Sequence, residues 1–376
     1  MDFTASQRRA ITQDGHLAVL AGPGSGKTRV ITEKIWYLLE KEVIPPPFGV
    51  LALTFTNGAA QEMRSRIRER GFQHWDKVWI GTFHGFGRYL LSCYGSDIGI
   101  SENFDILSVD DQKAILEPLC SNYNESASNV GSRISALKRQ GIYPGQRNIP
   151  EPFSSIYIEY QQALSQQNKL DFDDLVSLSV KLLDSSPLAY RVFTNFFRYV
   201  VVDEFQDSDA QQMELVLRFT LAATNLGSTI VADDDQSIYR FRGAIRTNVY
   251  EIQKRLQAQQ ITFEENFRSD QAIVEAANKV IANDMQRLAR QTRSISRNSG
   301  RLIQCAFGTP SDEAQQIARW ANEAKQTANV ENWEDIAVLC RTKNRLAQII
   351  DEFSEIDIPC FDRNRLDFQE SWETSL

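Results

Sequence analysis

The chain has no run of about 18 or more apolar residues, which excludes a helix long enough to cross a bilayer. Its opening, MDFTASQRRA, has no apolar stretch of the kind that directs secretion. Cysteine is sparse. Cys93, Cys120, Cys305, Cys340 and Cys360 lie far apart, and no two stand in a C-x-x-C spacing. That argues against a zinc site or a disulfide framework, and a reduced, cytoplasmic protein is expected. Positive charge is in deficit as well, with a net charge of −8. A global basic field is absent, so any contact with polynucleotide has to come from local clusters. Two clusters exist. One is Arg64, Arg66, Arg68 and Arg70, diluted by Glu62 and Glu69; the other is Arg287, Arg290, Arg293, Arg297 and Arg301, with no acidic residue inside it. By charge alone, a solvated face explains each cluster equally well.

What is present starts with size. The 376 residues, 42% hydrophobic and 10% aromatic, suit a globular chain of two or more domains. Residues 21 to 28 read AGPGSGKT, between the apolar run Leu17–Leu20 and a helical pattern of Val30, Ile31, Ile35, Leu38 and Leu39. This strand, glycine loop and helix is the form that cradles a nucleoside triphosphate. Glycines free backbone N–H groups for phosphate oxygens, and the helix N-terminus adds positive potential. Ala21, Gly22, Gly24, Ser25, Gly26, Lys27, Thr28 and Arg29 are the expected ATP-binding set, with Lys27 on the phosphates and Thr28 on Mg²⁺.

Short apolar runs alternating with helical patterns predict an α/β protein with a parallel sheet. The expected strands are 17–20, 50–55, 78–83, 199–202, 229–232 and 261–263; Pro45-Pro46-Pro47 reads as a loop. Residues 88–186 turn mostly helical and read as an insertion. The expected division is therefore 1–87 and 187–269 for the first α/β domain, 88–186 for the insertion, and 270–376 for the start of a second, incomplete α/β domain. In that last part, strands are expected at 302–307 and 336–340 and helices at 270–284, 311–327 and 343–355.

Two acidic elements complete the chemistry. Strand 199–202 runs into Asp203-Glu204-Phe205-Gln206-Asp207, at the carboxyl end of a parallel strand, where ligands bind in open sheets. Asp203 suits a Mg²⁺ carboxylate and Glu204 a base for the attacking water. Strand 229–232 runs into Asp233-Asp234-Asp235-Gln236-Ser237-Ile238-Tyr239-Arg240-Phe241-Arg242. Gln236 is expected to sense the γ-phosphate. Phe241 between two arginines suits base stacking with phosphate contact.

With these elements in order, the chain resembles a UvrD/Rep/PcrA-type superfamily 1 DNA helicase. Phe3-Thr4 and Gln7 are similar to the segment whose glutamine reads adenine. Thr54-Phe55-Thr56-Asn57 and Gly81-Thr82-Phe83-His84 resemble strand-contacting motifs. Leu170-Asp171-Phe172-Asp173-Asp174-Leu175 resembles an insertion signature, Glu265-Asn266-Phe267-Arg268-Ser269 the junction motif between motor domains, and Ala337–Thr342 a second-domain strand. The resemblance implies two RecA-like domains with ATP between them. Arg268 would act as an arginine finger, and Phe267 would lie on adenine. Phe55, Asn57, His84, Phe172, Tyr239, Phe241 and Arg242 would contact single-stranded DNA, and stepping would run 3′ to 5′ toward single-strand/duplex junctions. A non-motor ATP-binding subunit that grips DNA or needs a partner chain is the alternative.

Departures are of two grades. Phe205, Phe241 and Phe267 stand where the family often has Tyr, Trp and Tyr, Gly58 where it usually has lysine, and Ala232 where it usually has glycine. More severely, residues 360–376 lack the family's glycine pair and paired phenylalanines. No later motif with a second arginine finger follows, so a truncated or naturally short form is expected, and slow turnover with it.

Overall fold

The computed structural model describes residues 2–71, 75–121, 123–146, 149–238, 243, 245, 247–283, 290–327, 330 and 332–360. The chain divides into two compact units, Met1–Gly300 and Arg301–Leu376. The first opens with α1 (Ala5–Thr12), β1 (Gly15–Ala21), α2 (Lys27–Glu40), β2 (Gly49–Thr54), α3 (Asn57–Glu69), β3 (Val78–Thr82) and α4 (Phe83–Tyr94). A helical stretch follows: β4 (Asp105–Ile106), α5 (Val109–Ser121), α6 (Ala127–Arg139), α7 (Phe153–Gln166), β5 (Lys169–Leu170), α8 (Phe172–Ser185) and α9 (Pro187–Phe196). The chain then returns through β6 (Phe197–Val202), α10 (Ala210–Thr220), β7 (Gly227–Ala232), α11 (Asn248–Leu256), β8 (Gln259–Phe263), β9 (Glu265–Asn266), α12 (Gln271–Ile281) and β10 (Arg293–Ser294).

The six expected strands form one sheet in the order β3-β2-β6-β7-β1-β8, every neighbouring pair parallel. Side chains alternate between two cores, as the two-residue period of a strand requires. Leu17, Val19, Val50, Ala52, Tyr199 and Val201 face α1, α2 and α3. Ala18, Leu20, Leu51, Leu53, Val200 and Val202 face α4, α8, α9 and α10. Burial of both faces explains why these strands read as continuous apolar runs. The order also sets β6, β7 and β1 side by side, so the loops leaving their carboxyl ends converge.

The helical stretch is not uniform. α4 and α8 join the core of the sheet through Phe83, Phe86, Leu90, Leu175, Val176 and Leu183. A separate core forms from α5, α6 and α7, with Leu116, Val130, Ile134, Ile156, Tyr157, Tyr160 and Leu164, joined by Leu107 and Ile149 from the flanking loops. Residues beyond 269 stay with the first unit as far as Gly300: β10 pairs in parallel with β9, and Ser296 Oγ donates to Asp270 Oδ1 at 2.6 Å.

The second unit holds α13 (Pro310–Gln326) and α14 (Lys343–Glu355). Ala314, Ala318 and Ala321 share one face of α13 and pack against Ile349 and Phe353 of α14. The strands expected at 302–307 and 336–340 are corrected here: these residues join no ladder among the described residues. Leu302, Ile303 and Leu339 are exposed. A strand exists only by pairing its backbone with another, and apolar pattern alone does not supply the partner. No helix of the described residues is long and apolar enough to cross a membrane.

Candidate functional site

The loop after β1 is shaped by its glycines. Gly24 has φ +69°, and a Cβ there would come within 2.7 Å of Arg268 Cβ and 2.8 Å of Asn266 Oδ1. Gly26 caps α2 in the left-handed region, at φ 80° and ψ 26°. Only glycine takes such a conformation without strain. Ser25 Oγ donates to the Gly22 carbonyl at 2.6 Å, and the Gln7 amide donates to the Ser25 carbonyl at 2.9 Å. Gln7 Oε1 accepts from Thr4 N. Gln7 is thus buried and braces the loop, with one N–H and one lone pair left over. Arg29 lies on the surface with its guanidinium 4.2 Å from the Phe3 ring centre.

Lys27 opens α2, and its Nζ lies 3.1 Å from the Glu204 carboxylate. Glu204 follows β6 with φ 51°, an uncommon conformation for a residue with a side chain. Gln206 Nε2 holds Glu204 Oε2 at 2.8 Å. Asp203 is buried and accepts the Glu204 N–H at 3.0 Å. Burial, reinforced by the adjacent Glu204 carboxylate, pushes the pKa of Asp203 up to about 7. Burial and then Glu204 do the same to Asp207. Beside Asp203, Thr54 Oγ1 is buried without a hydrogen-bond partner, and the neighbouring Leu53 carbonyl accepts the Asp203 N–H at 2.9 Å. A buried carboxylate that resists ionisation, near an orphaned hydroxyl, fits a divalent cation, whose charge would keep Asp203 ionised.

The acidic loop after β7 encloses an arginine. Asp233, Asp234 and Asp235 bring carboxylate oxygens within 4.8 Å of one another, yet Arg290 lies among them. Its Nη2 reaches Asp233 at 2.5 Å and Asp235 at 2.9 Å. Gln236 Nε2 donates to Asp233 Oδ2 at 2.7 Å. The Arg290 side chain is 2% exposed, so this member of the basic stretch is no solvated group. In the other basic cluster, Arg66 pairs with Glu62 at 2.7 Å and Arg70 with Glu33, while Arg64 donates to the Ile80 carbonyl.

The junction loop is stapled to the glycine loop. Asn266 Nδ2 donates to the Pro23 carbonyl at 2.8 Å, and Asn266 Oδ1 accepts from the N–H groups of Arg268 and Ser269 at 2.9 and 2.7 Å. Phe267 N donates to the Gly24 carbonyl at 2.8 Å. Phe267 is half-buried and Arg268 exposed beside the loop. Asn266 and Gln206 stand inside motifs whose sequence gives neither a role, and in the sequence Arg290 is only one charge of a basic stretch. The missed signal is a polar residue fully buried beside a loop, which only packing reveals.

Of the expected DNA contacts, Phe55 is half-buried and Asn57 exposed at the start of α3. Gly58 faces open space. His84 and Phe172 stack on each other, with ring centres 3.9 Å apart. Phe172 is 49% exposed. Burial, with the nearby Arg139 cation, pushes the His84 pKa down to about 3, so its ring is neutral. Tyr239, Phe241 and Arg242 lie outside the described residues. The insertion signature proves to be a clamp: Asp171 and Asp174 form the capping box of α8 and both hold Lys138 of α6 at 2.7 Å.

A glycine loop after β1, acidic loops after β7 beside it and β6 beyond, and a junction loop against the first define a RecA-like P-loop domain. The chain belongs to the UvrD/Rep helicase family. Residues 3–257 match the UvrD/REP helicase N-terminal domain and residues 261–373 the UvrD-like helicase C-terminal domain. Among curated relatives, the ATP-dependent DNA helicase PcrA of Staphylococcus aureus (strain Mu50) is 34% identical over 360 residues, 93% of this chain and 49% of the relative. PcrA of Bacillus subtilis (strain 168) is 34% identical over 359 residues, 92% and 48%. PcrA of Staphylococcus epidermidis is 31% identical over 371 residues, 95% and 50%. The chain thus spans about half the length of these relatives.

Proposed function

We propose that the chain carries the ATP-binding half of a DNA-dependent motor that steps 3′ to 5′ along single-stranded DNA toward single-strand/duplex junctions. The observation that carries this reading is the Lys27–Glu204 pair, 3.1 Å apart at the mouth of the glycine loop. Lys27 exchanges Glu204 for the β- and γ-phosphates when ATP enters. Glu204 is then released toward solvent but kept aimed by Gln206, ready to take a proton from the attacking water. Gln236 senses the γ-phosphate, and Arg268 places positive charge on the transferring group. Gln7, Arg29 and Phe267 surround the base. Thr28 and Asp203 would hold Mg²⁺, which supplies charge neutralisation of the phosphoryl oxygens.

The DNA track rests on Phe55, Asn57, the His84–Phe172 stack, Tyr239, Phe241 and Arg242. A groove of about 690 Å³ supports its course; Lys113, Ser128, Ser132, Arg139, Gln140 and Gly243 are among the residues that line it. Hydroxyls with two cations suit a phosphate backbone. A second reading, a non-motor subunit completed by another chain, is favoured by the exposed Leu302, Ile303 and Leu339. Such residues offer apolar surface that a partner chain would cover.

A titration with Mg²⁺–ATP tests the assignment. Lys27→Ala is expected to lose binding. Glu204→Gln is expected to keep binding and lower single-turnover hydrolysis by about 10²- to 10⁴-fold. Normal hydrolysis by Glu204→Gln would overturn the role of this carboxylate.

A further inference from the structure

Arg290 joins two parts of the site that are remote in sequence. Its Nη2 holds Asp233 Oδ1 at 2.5 Å and Asp235 Oδ2 at 2.9 Å, and its Nη1 lies 3.7 Å from Asp234 Oδ1. The glycine loop is close by: a Cβ on Gly22 would sit 3.8 Å from the same Arg290 Nη2. Asp233 is the hub. Its second oxygen, Oδ2, accepts from Gln236 Nε2 at 2.7 Å. Its N–H donates to Gln206 Oε1 at 2.8 Å, and Gln206 in turn grips Glu204. An unbroken line of hydrogen bonds thus runs from Arg290 through Asp233 to both Gln236 and Glu204.

Three neighbouring carboxylates repel one another, and without a cation among them they turn apart. A guanidinium offers the planar fork that engages several carboxylates at once and fixes their directions. We propose that Arg290 is a positioning residue for ATP hydrolysis: it holds Asp233, and through Asp233 it aims Gln236 and, by way of Gln206, the Glu204 carboxylate. The inference rests on the reading of the glycine loop as the ATP site. It assigns Arg290 no contact with nucleotide.

The test uses the 376-residue chain with Mg²⁺–ATP, measuring nucleotide affinity and single-turnover hydrolysis separately. Arg290→Gln is expected to slow hydrolysis by about tenfold to a hundredfold, as a small misplacement of catalytic groups does, while the Kd for ATP changes by less than about threefold. Adding Asp235→Asn to Arg290→Gln removes one repelling charge and is expected to restore part of the rate. A merely structural arginine would give the reverse: lower thermal stability with an unaltered rate per folded molecule. Hydrolysis by Arg290→Gln at the wild-type rate overturns the proposal, and so does a rate that Asp235→Asn leaves unrestored. Should Arg290→Gln fail to fold, Arg290→Lys carries the test, because it keeps the charge and loses the fork. A slowed rate with unchanged affinity supports the proposal, and a wild-type rate overturns it. Wild-type chain that binds no ATP would instead remove the nucleotide-site reading, and that outcome is visible before any variant is compared.

Discussion

Two lysines in the first unit use the same chemistry to opposite ends. Lys138 is sealed between α6 and α8, with its side chain 2% exposed and Asp171 and Asp174 each 2.7 Å away. Those carboxylates are themselves engaged: Asp171 accepts from Tyr160 and the Asp174 N–H, and Asp174 from Gln161 and the Asp171 N–H. Burial pulls the Lys138 pKa down, yet Asp171 and Asp174 together raise it above its ordinary value. Asp174 is pushed up to about 6 by burial and by Asp171. Among the described residues Lys27 makes its ion pair with Glu204, whose side chain is 31% exposed. A buried, fully engaged cluster has nothing to exchange, so it holds structure. A half-open pair can trade its partner for a ligand at little cost. Residue type does not distinguish the two; burial and the saturation of hydrogen bonds do.

The comparison can be broken most sharply at Lys138. Lys138→Ala would leave two buried carboxylates unpaired and is expected to destabilise the fold by about 3–5 kcal/mol. Urea unfolding measures this, and a loss under about 1 kcal/mol would mean that water enters and the clamp is not closed. A third lysine sharpens the scale. Lys34 is buried, donates to the Gln13 carbonyl at 2.6 Å and lies 5.4 Å from the Tyr199 ring centre. Burial lowers its pKa to about 8, against a small opposing pull from Asp14. Between that value and its ordinary one, the folded chain binds fewer protons than the unfolded chain. Stability is therefore expected to rise as pH increases from about 8 to about 10.5, by about 2–3 kcal/mol. Lys34→Met should lack that rise; identical pH profiles for the two proteins would contradict the assignment. The smallest effect belongs to Lys27. Lys27→Ala is expected to change stability by about 1 kcal/mol or less in the absence of nucleotide, even as nucleotide binding is lost. A large destabilisation would place Lys27 with Lys138 among the structural lysines.

Much of this was legible along the chain, for a local reason. Strand β1, the glycine loop and α2 are contiguous, and Gly24 and Gly26 answer to local backbone demands, so this strand, loop and helix could be read from a short stretch of chain. The six strands of the sheet were also readable, because burial on both faces leaves unbroken apolar runs. The helical insertion was readable only in bulk: that α4 and α8 belong to the core of the sheet depends on which neighbour covers Phe86 and Leu183. The second unit misled for the same reason in reverse. The pattern of 302–307 and 336–340 matches a buried strand, but pairing is a property of two segments and no single window contains it.

What the sequence by itself determined is the order of the motifs, the glycine-rich loop between β1 and α2, and the acidic residues that follow β6 and β7, since these follow from local backbone freedom and side-chain chemistry. Only the tertiary structure decided which charges meet. Arg290 stands 57 residues from Asp233 and Lys27 177 residues from Glu204. Contacts at such separations leave no periodicity in the chain; they arise because adjacent parallel strands deliver distant loops to the same edge of the sheet, where burial forces opposite charges to find one another.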